Sequence, residues 1–524
     1  MDSSTVLTML GLITAVYAII PKENKLDLSL RISVVDRIVI LASLIAIHYI
    51  MYYPILNELG FKYNFGVWKF GFNRNNTTYL IFLLLSIYLV VKFKLFRVNK
   101  NNISKFSDVL EQLLIKKKYD EVSHLLEKYF GDVETVSNSN KLRNKLAFFI
   151  KPKAEFDILL GVKKSHFNFK YDKYMLKLSE IISVDEGYKE NALVIISRIF
   201  NNKGFIKFLS ELKPYYLLDL LKEKSLRSEV PFKLFINNLI DDKSSVFYYE
   251  IENTQNLVAN NRYFLHPNNK FLFGLLKDCN VAKEVSVYKP IGDKINDLID
   301  YDHKLIKKYN EPLGNYYENG LYECPVYCGL QFFNIMISES LHQQVKWHMW
   351  LYYYQSFTRK IINNLNIEDN VDLSKEWPTP FHFHLYTMVD NCLDWIYSLD
   401  FSSNAILFKF NNASPIHDNQ SIMKSSILCL GNLVCQIIST DKLSSDFKSY
   451  ILEIVLRKLV DHKDVDDYCL VNQVLMKSII YNGYANKLNY DYTIVLYEML
   501  DTVDHMITFE LDEFKDLLKT AIES

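Results

Sequence analysis

The chain has 524 residues, of which 49% are hydrophobic, and its 60 Lys and Arg residues nearly balance its 61 Asp and Glu residues. This length exceeds that of one compact core, and the balanced charge gives no general basic surface, so we expect no specific nucleic-acid binding. Only 15 glycines and 12 prolines are present, which disfavours loop-rich, all-β and disordered classes and predicts a mainly α protein.

Three apolar segments occupy the beginning of the chain, at about residues 5–20, 38–56 and 77–96. The second and third are long enough to cross a hydrocarbon layer of about 30 Å as helices. The first is short for this purpose, and a cleaved signal peptide is its alternative interpretation, although no basic segment precedes it. The sequence therefore predicts a three-helix transmembrane anchor over residues 1–100.

The distribution of Lys and Arg predicts the orientation of this anchor. These residues are concentrated between the first two segments and again from Lys92 onward, and fewer lie between the second and third segments. Short loops rich in positive charge stay on the cytoplasmic side. We therefore expect a multi-pass protein of the plasma (inner) membrane, with its N-terminus outside and everything after Phe96 in the cytosol.

Four residues of the anchor are candidates for a role in the membrane. His48 lies well inside the second segment, where an ionisable side chain suggests a proton or ion path or a contact with a neighbouring helix. Trp68 belongs to an aromatic connection that we expect at the outer interface. Lys92 and Lys94 end the third segment, and we expect their ammonium groups to reach the lipid headgroups.

The rest of the chain predicts a large helical body. Residues 101–245 form a predicted helical-hairpin domain, because apolar residues recur at helical spacing on both sides of a polar break within residues 108–130, with Gly131 as a helix stop. Further amphipathic helices are predicted at residues 172–182, 188–200, 214–224 and 231–240, a pattern like that of helical solenoids. Residues 246–524 form a predicted larger helical domain, with one long central helix over residues 330–365 and a bundle over residues 421–523.

Two groups of side chains in the body could carry chemistry. Glu339, His342 and His348 are the catalytic candidates, although two histidines six residues apart on a helix do not face one ion. His382 and His384 would point the same way on an extended segment, which the prolines before them favour, and Cys324 or Cys328 could complete a metal site. Packing within a core is the more common role for such residues, so no cofactor is predicted.

No nucleotide-binding or nucleophile motif is present, so the predicted function is binding at a membrane. A cytosolic body would recognise a protein partner or ligand, and the anchor would fix that event at the lipid bilayer, with homo-oligomerisation and permeabilisation as a stronger form. This layout is similar in outline to bacterial membrane effectors of conflict and antiviral systems. A metal-dependent hydrolase tethered to the membrane, built around His342, His348, His382 and His384, is the alternative.

Overall fold

The computed structural model describes residues 27, 30–60, 73–138, 178, 187–222, 229–255, 258–259, 262–345, 349–367, 370–397, 422–483 and 487–523. These residues are mostly helical, with a single two-stranded ladder among them, so the prediction of a mainly α protein is confirmed. The chain divides into two compact units, Met1–Phe205 and Ile206–Ser524. The predicted domain boundaries after residues 100 and 245 stay predictions.

Unit 1 joins two long apolar helices to a helical hairpin. Its described helices are α1 (Val34–Met51), α2 (Tyr53–Glu58), α3 (Arg74–Lys94), α4 (Ile103–Ile115), α5 (Tyr119–Asn138) and α6 (Gly187–Asn201), followed by α7 (Lys203–Leu212), which crosses the unit boundary. α1 packs along α3, and α6 packs against both α4 and α5.

The helices α1 and α3 are long and apolar enough to cross a membrane. Only 17% of the most apolar stretch of α1 and 6% of that of α3 is buried within the protein, so their apolar side chains face outward. These exposed side chains include Val35, Ile38, Leu41 and Ile45 of α1 and Leu84, Ile87, Val90 and Val91 of α3. The second and third predicted segments therefore form the expected helices, whereas the first, residues 5–20, lies outside the described residues.

A third helix of similar length and composition, α19 (Ile422–Ser439), belongs to unit 2. Burial within the protein accounts for its apolarity, because 72% of it is buried there. Length and hydropathy alone do not separate a core helix from a spanning helix; α1 and α3 differ from α19 because most of their apolar surface is exposed.

The hairpin of α4 and α5 forms where the apolar periodicity predicts it. The chain turns between these helices at Lys117, which adopts a positive φ of 54°. The prediction that Gly131 ends the second helix is wrong, because α5 continues to Asn138. Val133 and Val136 extend the buried stripe of the helix beyond the glycine, and this burial outweighs the weak helix propensity of glycine.

Unit 2 is a multi-helix body. Its described helices are α8 (Pro214–Lys222), α9 (Glu229–Asp241), α10 (Val246–Gln255), α11 (Lys270–Leu276), α12 (Cys279–Glu284), α13 (Tyr288–Tyr301), α14 (His303–Asn310), α15 (Tyr316–Asn319), α16 (Pro325–His342), α17 (Tyr352–Asn364), α18 (Pro380–Tyr397), α19, α20 (Ser445–Asp461), α21 (Cys469–Ile480), α22 (Tyr490–Met499), α23 (His505–Phe509) and α24 (Asp512–Glu523). The antiparallel strands β1 (Val258–Ala259) and β2 (Arg262–Tyr263) pair between α10 and α11, with Ala259 opposite Arg262.

The core of unit 2 is built around α16 and α19. Every residue of α16 from Val326 to Leu341 is buried, as its apolar residues on nearly every face predict. α19 packs against α17, α18, α21 and α22. It approaches α21 so closely at Gly431 that a Cβ there would lie 2.4 Å from the carbonyl oxygen of Ser478, so glycine is required at this crossing.

The predicted long helix over residues 330–365 is wrong, because α16 ends at His342 and α17 begins at Tyr352. The side chain of Gln343 accepts a hydrogen bond from the Cys279 backbone N–H and donates one to the Leu276 carbonyl, both at 2.8 Å. Gln344 follows with a positive φ of 56°. Contacts with distant residues, rather than a local breaker, therefore end the helix.

A hydrogen-bonded network of polar side chains crosses this apolar core. The Asn334 amide donates to Tyr263 Oη and to Asn391 Oδ1, each at 2.8 Å. Trp395 Nε1 donates to Asn334 Oδ1 at 2.8 Å, and the Asn391 amide donates to Tyr354 Oη at 2.9 Å. Each polar group needs its specific partner in a low-dielectric interior, so the network fixes the relative placement of α16, α17 and α18.

Candidate functional site

A cluster of charged side chains in unit 1 joins the ends of the apolar helices to the hairpin. Asp27 lies before α1 and is 5% exposed. Its carboxylate accepts a hydrogen bond from Arg31 Nη2 at 2.6 Å. It also accepts hydrogen bonds from Lys128 Nζ and from the hydroxyl of Tyr129, both on α5. We call Asp27, Arg31, Lys128 and Tyr129, together with the end of α3 that Arg31 contacts, the charged junction.

Arg31 is the residue that connects three parts of unit 1 at this junction. One guanidinium nitrogen, Nη1, donates to the carbonyl of Phe93 near the end of α3. The other, Nη2, donates to Tyr129 Oη at 3.0 Å as well as to Asp27. The guanidinium carbon lies 5.7 Å from the centre of the Phe96 ring, a distance that allows a cation–π interaction. A displacement of α5 would therefore be transmitted to the end of α3.

The junction is held in its ionised form. Burial of Asp27 by itself would raise its pKa, but the hydrogen bonds from Arg31, Lys128 and Tyr129 stabilise the carboxylate, and the net result is a lowered pKa. Burial also raises the pKa of Tyr129, and the hydrogen bond to Asp27 adds to this increase. Asp27 is therefore an anion at neutral pH, and Tyr129 is a neutral donor to it.

A second buried carboxylate ties α1 to α3. Asp36 is 1% exposed, and its side chain accepts from the Ser33 backbone N–H at 2.6 Å while Ser33 Oγ accepts from the Asp36 N–H at 3.2 Å. This reciprocal pair is a capping box that starts α1. The same carboxylate accepts from the hydroxyl of Tyr88 and lies 3.2 Å from Lys92 Nζ. Asp36 therefore both caps one helix and binds two residues of the other.

The structure places three of the four anchor candidates. His48 is on the exposed surface of α1, where its Nδ1 lies 2.9 Å from the Leu44 carbonyl of the same helix. Lys92 is 39% exposed and pairs with Asp36, and Lys94 is exposed at the end of α3. Trp68 lies outside the described residues. Lys92 therefore connects α3 to α1 through its ion pair with Asp36.

The three catalytic candidates do not form a described cluster. Glu339 is 2% exposed and forms a two-point pair with Arg262 of β2, at 2.9 Å to Nη2 and 3.1 Å to Nε. His342 is the last residue of α16, and burial lowers its pKa. His348 lies outside the described residues. Glu339 is therefore a structural ion-pair partner in this arrangement.

The prediction that His382 and His384 lie on an extended segment is wrong, because both are on α18. Pro380 occupies the first position of this helix, where a missing N–H costs nothing. Residues two apart on a helix point about 200° from each other. His382 Nδ1 lies 2.8 Å from Thr379 Oγ1, and its ring packs 4.7 Å from that of Phe447.

His384 lies in a separate buried cluster, which also contains Cys324. Its Nε2 is 2.7 Å from the hydroxyl of Tyr316 and 3.8 Å from Cys324 Sγ. The Cys324 thiol is 2.6 Å from Tyr309 Oη. Burial lowers the pKa of His384 to about 3 and raises that of Cys324, so this pair is a neutral imidazole and a thiol.

Cys328 is buried on α16, and burial raises its pKa as well. Its Sγ contacts the Leu321 carbonyl at 3.8 Å. Within the part of the chain that the structure describes, no three His, Cys, Asp or Glu side chains are grouped so as to hold a metal ion. Of the predicted metal ligands, Cys324 lies beside His384, whereas His382 contacts a different part of the core.

Acidification should destabilise unit 2 in part through His384. Below pH about 6.5 the unfolded imidazole binds a proton, whereas the folded one does not until its pKa of about 3. The folded state therefore loses about 2 kcal/mol from this residue between pH 7 and pH 5. In His384→Asn, the stability lost between pH 7 and pH 5 should therefore be smaller by about 2 kcal/mol. Denaturant unfolding of the full chain in detergent, followed by the fluorescence of the buried Trp350 and Trp395, measures this stability.

Asn at position 384 has no titratable group, so the variant lacks the proton that the unfolded imidazole binds. His505 on α23 is exposed, so His505→Asn is the matched control and should keep the pH dependence of the unaltered chain. An identical loss of stability between pH 7 and pH 5 in His384→Asn and in the unaltered chain would contradict the buried neutral state of His384.

Sequence reasoning missed Asp27 and Asp36. A carboxylate next to an apolar segment looks like its polar end, and nothing local shows that its partners, Lys128 and Tyr88, lie about a hundred and about fifty residues away. The one available signal was Ser33 followed by Asp36, a spacing that suits a helix N-terminus. Comparison of the chain with protein-family models, with curated proteins and with solved structures finds no match, so its function is argued from its own geometry.

Proposed function

We propose that this chain is a membrane-anchored helical binding protein. The observation that carries the proposal is the charged junction, in which Arg31 contacts the end of α3, the segment before α1 and the hairpin helix α5 at once. A partner that engages the helical hairpin would therefore act on the ends of two apolar helices. In this proposal, the ion pairs of Asp27 with Arg31 and Lys128 connect the membrane anchor to the hairpin that recognises a partner.

The positions of the helix ends support the proposed orientation. α1 begins and α3 ends on the same side, because Asp36 at the start of α1 pairs with Lys92 near the end of α3. If both helices cross a bilayer, the junction and the hairpin lie together on one face of it. Arg31, Arg37, Lys92, Lys94 and Arg97 are at this end, and the usual enrichment of positive charge on the cytoplasmic side favours a cytosolic hairpin.

The proposed action at the membrane is a change in the packing of the spans when a partner binds. The outward apolar faces of α1 and α3 can contact lipid or a second copy of the chain, so permeabilisation would proceed through a homo-oligomer. Such an effect requires the partner to bind two arrangements of the anchor with different affinity. This is the form of action of the membrane effectors of antiviral defence that the layout resembles.

The experiment that tests the anchor replaces one outward leucine by lysine. Leu84, in the middle of α3, is 57% exposed. A lysine at the centre of a membrane span costs about 2.5–3.5 kcal/mol, so the fraction of full-length Leu84→Lys that stays in carbonate-washed membranes should fall well below that of the unaltered chain. Leu212 of α7 is exposed to a similar extent, 65%, and Leu212→Lys should leave the membrane fraction unchanged because an exposed leucine in water is dispensable.

Two outcomes would overturn the anchor. The unaltered chain could be recovered in the supernatant without detergent, or Leu84→Lys and Leu212→Lys could partition alike.

If the anchor is confirmed, a leakage experiment tests the proposed action. Release of a dye from vesicles that carry the full chain is measured with and without a partner isolated on that chain. Partner binding that leaves leakage unchanged would support a scaffold and contradict permeabilisation.

A further inference from the structure

A cavity of about 770 Å³ lies beside the charged junction, where α1 begins and α3 ends. Its size falls within the range of about 300–1,000 Å³ that is typical of small-molecule sites. Five cationic side chains line it, and among the described residues no carboxylate does. These cations are Arg31, Arg37, Lys92, Arg97 and Lys105. We call this space the basic cavity.

The positive charge of the basic cavity is only partly balanced. Arg31 and Lys92 have the carboxylate partners described above. Arg37 and Arg97 are exposed, and neither forms an ion pair with a carboxylate in the described part of the chain. The cavity therefore has an excess of positive charge, and guanidinium groups suit phosphate oxygens because they can donate two parallel hydrogen bonds.

Part of the remaining wall of the basic cavity is polar, from Ser33, Tyr88 and three asparagines, and part is apolar. Val34, Val91 and Leu95 line it and are 71%, 48% and 70% exposed, respectively. This wall continues directly into the outward apolar faces of α1 and α3. An inorganic or sugar phosphate would leave these side chains uncovered, whereas an amphiphile would place its anionic group among the cations and its apolar part along the helices.

We propose that the basic cavity binds the phosphate headgroup of an anionic membrane phospholipid, with its acyl chains along α1 and α3. Arg37 and Arg97 hold the phosphate, and Val91 and Leu95 contact the beginning of the chains. The inference rests on the proposed placement of these helices in a bilayer and adds the class of lipid that the site selects. A bound phosphate would also balance the cations that surround the charged junction, so anionic lipid should stabilise unit 1.

The experiment measures lipid binding to the full chain. Phosphatidylglycerol is added to the protein in a nonionic detergent, and retained lipid is counted by native mass spectrometry, with phosphatidylcholine at the same concentrations as the zwitterionic comparison. A cation near a membrane surface contributes about fivefold to the affinity for anionic lipid. Since two cations are removed, the Arg37→Gln/Arg97→Gln variant should bind phosphatidylglycerol about 30-fold more weakly.

The matched control removes two positive charges from unit 1 outside the cavity. Lys116 and Lys203 are exposed and do not line the basic cavity, so Lys116→Gln/Lys203→Gln should keep the affinity of the unaltered chain within about twofold. Equal binding of phosphatidylglycerol by the two double variants would overturn the inference. Binding of phosphatidylcholine as tight as that of phosphatidylglycerol would overturn it as well.

A third arm separates a lipid from a soluble phosphate. Glycerol 3-phosphate should compete poorly with phosphatidylglycerol, because it lacks the acyl chains that contact the apolar wall. Competition at equal affinity would assign the cavity to a soluble phosphate and contradict the lipid. Recovery of the unaltered chain without detergent would contradict the proposed function itself, whereas a membrane-bound chain whose two double variants bind lipid alike contradicts only this inference.

Discussion

Asp27→Ala should strongly destabilise unit 1. The substitution leaves Arg31, whose side chain is 13% exposed, and Lys128 without their shared anion. Removing one partner of a buried ion pair costs about 3–5 kcal/mol, because the remaining charge is desolvated and unpaired. Hydrogen exchange of the full chain in detergent should therefore show amides of α5 exchanging at least about 100-fold faster in Asp27→Ala than in the unaltered protein.

The control for this variant is Asp108→Ala. Asp108 lies on α4 of the same unit and is exposed, so its removal should change exchange in α5 by less than about threefold. A second variant, Asp27→Ala/Arg31→Met, removes the main unpaired cation together with the anion and should recover part of the lost protection. Equal exchange of α5 in Asp27→Ala and Asp108→Ala would show that the charged junction does not hold the hairpin.

The effect of Asp27→Ala should depend on pH with a definite sign. The folded pKa of Asp27 is lowered relative to that of an unfolded aspartate, which is about 3.9. The stabilisation is therefore complete above about pH 4 and is lost as the pH falls through the folded pKa. The difference in stability between Asp27→Ala and the unaltered chain should be constant between pH 5 and pH 7, and should decrease only in stronger acid.

Local sequence predicted the two apolar helices because their signal is local. A continuous run of uncharged apolar residues indicates a span whatever follows it. The sequence predicts that this helix starts at Ile38, because Asp36 and Arg37 look like the polar end of such a run, whereas α1 begins at Val34. The pairing of Asp36 with Lys92 and Tyr88 makes a charged residue acceptable inside the helix, and these partners are more than fifty residues away.

The errors in unit 2 have the same physical origin. The proline at position 380 favours an extended chain when the sequence is considered alone, but at the first position of α18 it is compatible with a helix. The break after His342 has no glycine or proline to mark it, and the side chain of Gln343 makes it through bonds to the region of α11 and α12. Periodicity predicts which residues are buried, whereas bonds between distant residues decide where a buried helix ends.

Arg262→Met should destabilise unit 2 by about 3–5 kcal/mol, and more than Glu339→Gln does. The two side chains form one ion pair, but their surroundings differ, since that of Glu339 is 3% exposed and that of Arg262 is 50% exposed. Removal of Arg262 leaves a buried carboxylate whose remaining hydrogen bond, among the described residues, comes from the Gln343 amide at 3.4 Å. Removal of the charge at Glu339 leaves an arginine that water can solvate, so the cost should be about 1–2 kcal/mol. Denaturant unfolding of the full chain in detergent, followed by tryptophan fluorescence, measures both.

The pair of Arg457 with Glu453 is the matched control, since it joins the same two residue types at 2.5 Å on the surface of α20. Arg457→Met should cost less than about 1 kcal/mol, because an exposed pair gains little over hydration of its two charges. A cost for Arg262→Met as small as that for Arg457→Met would contradict a structural role for the buried pair.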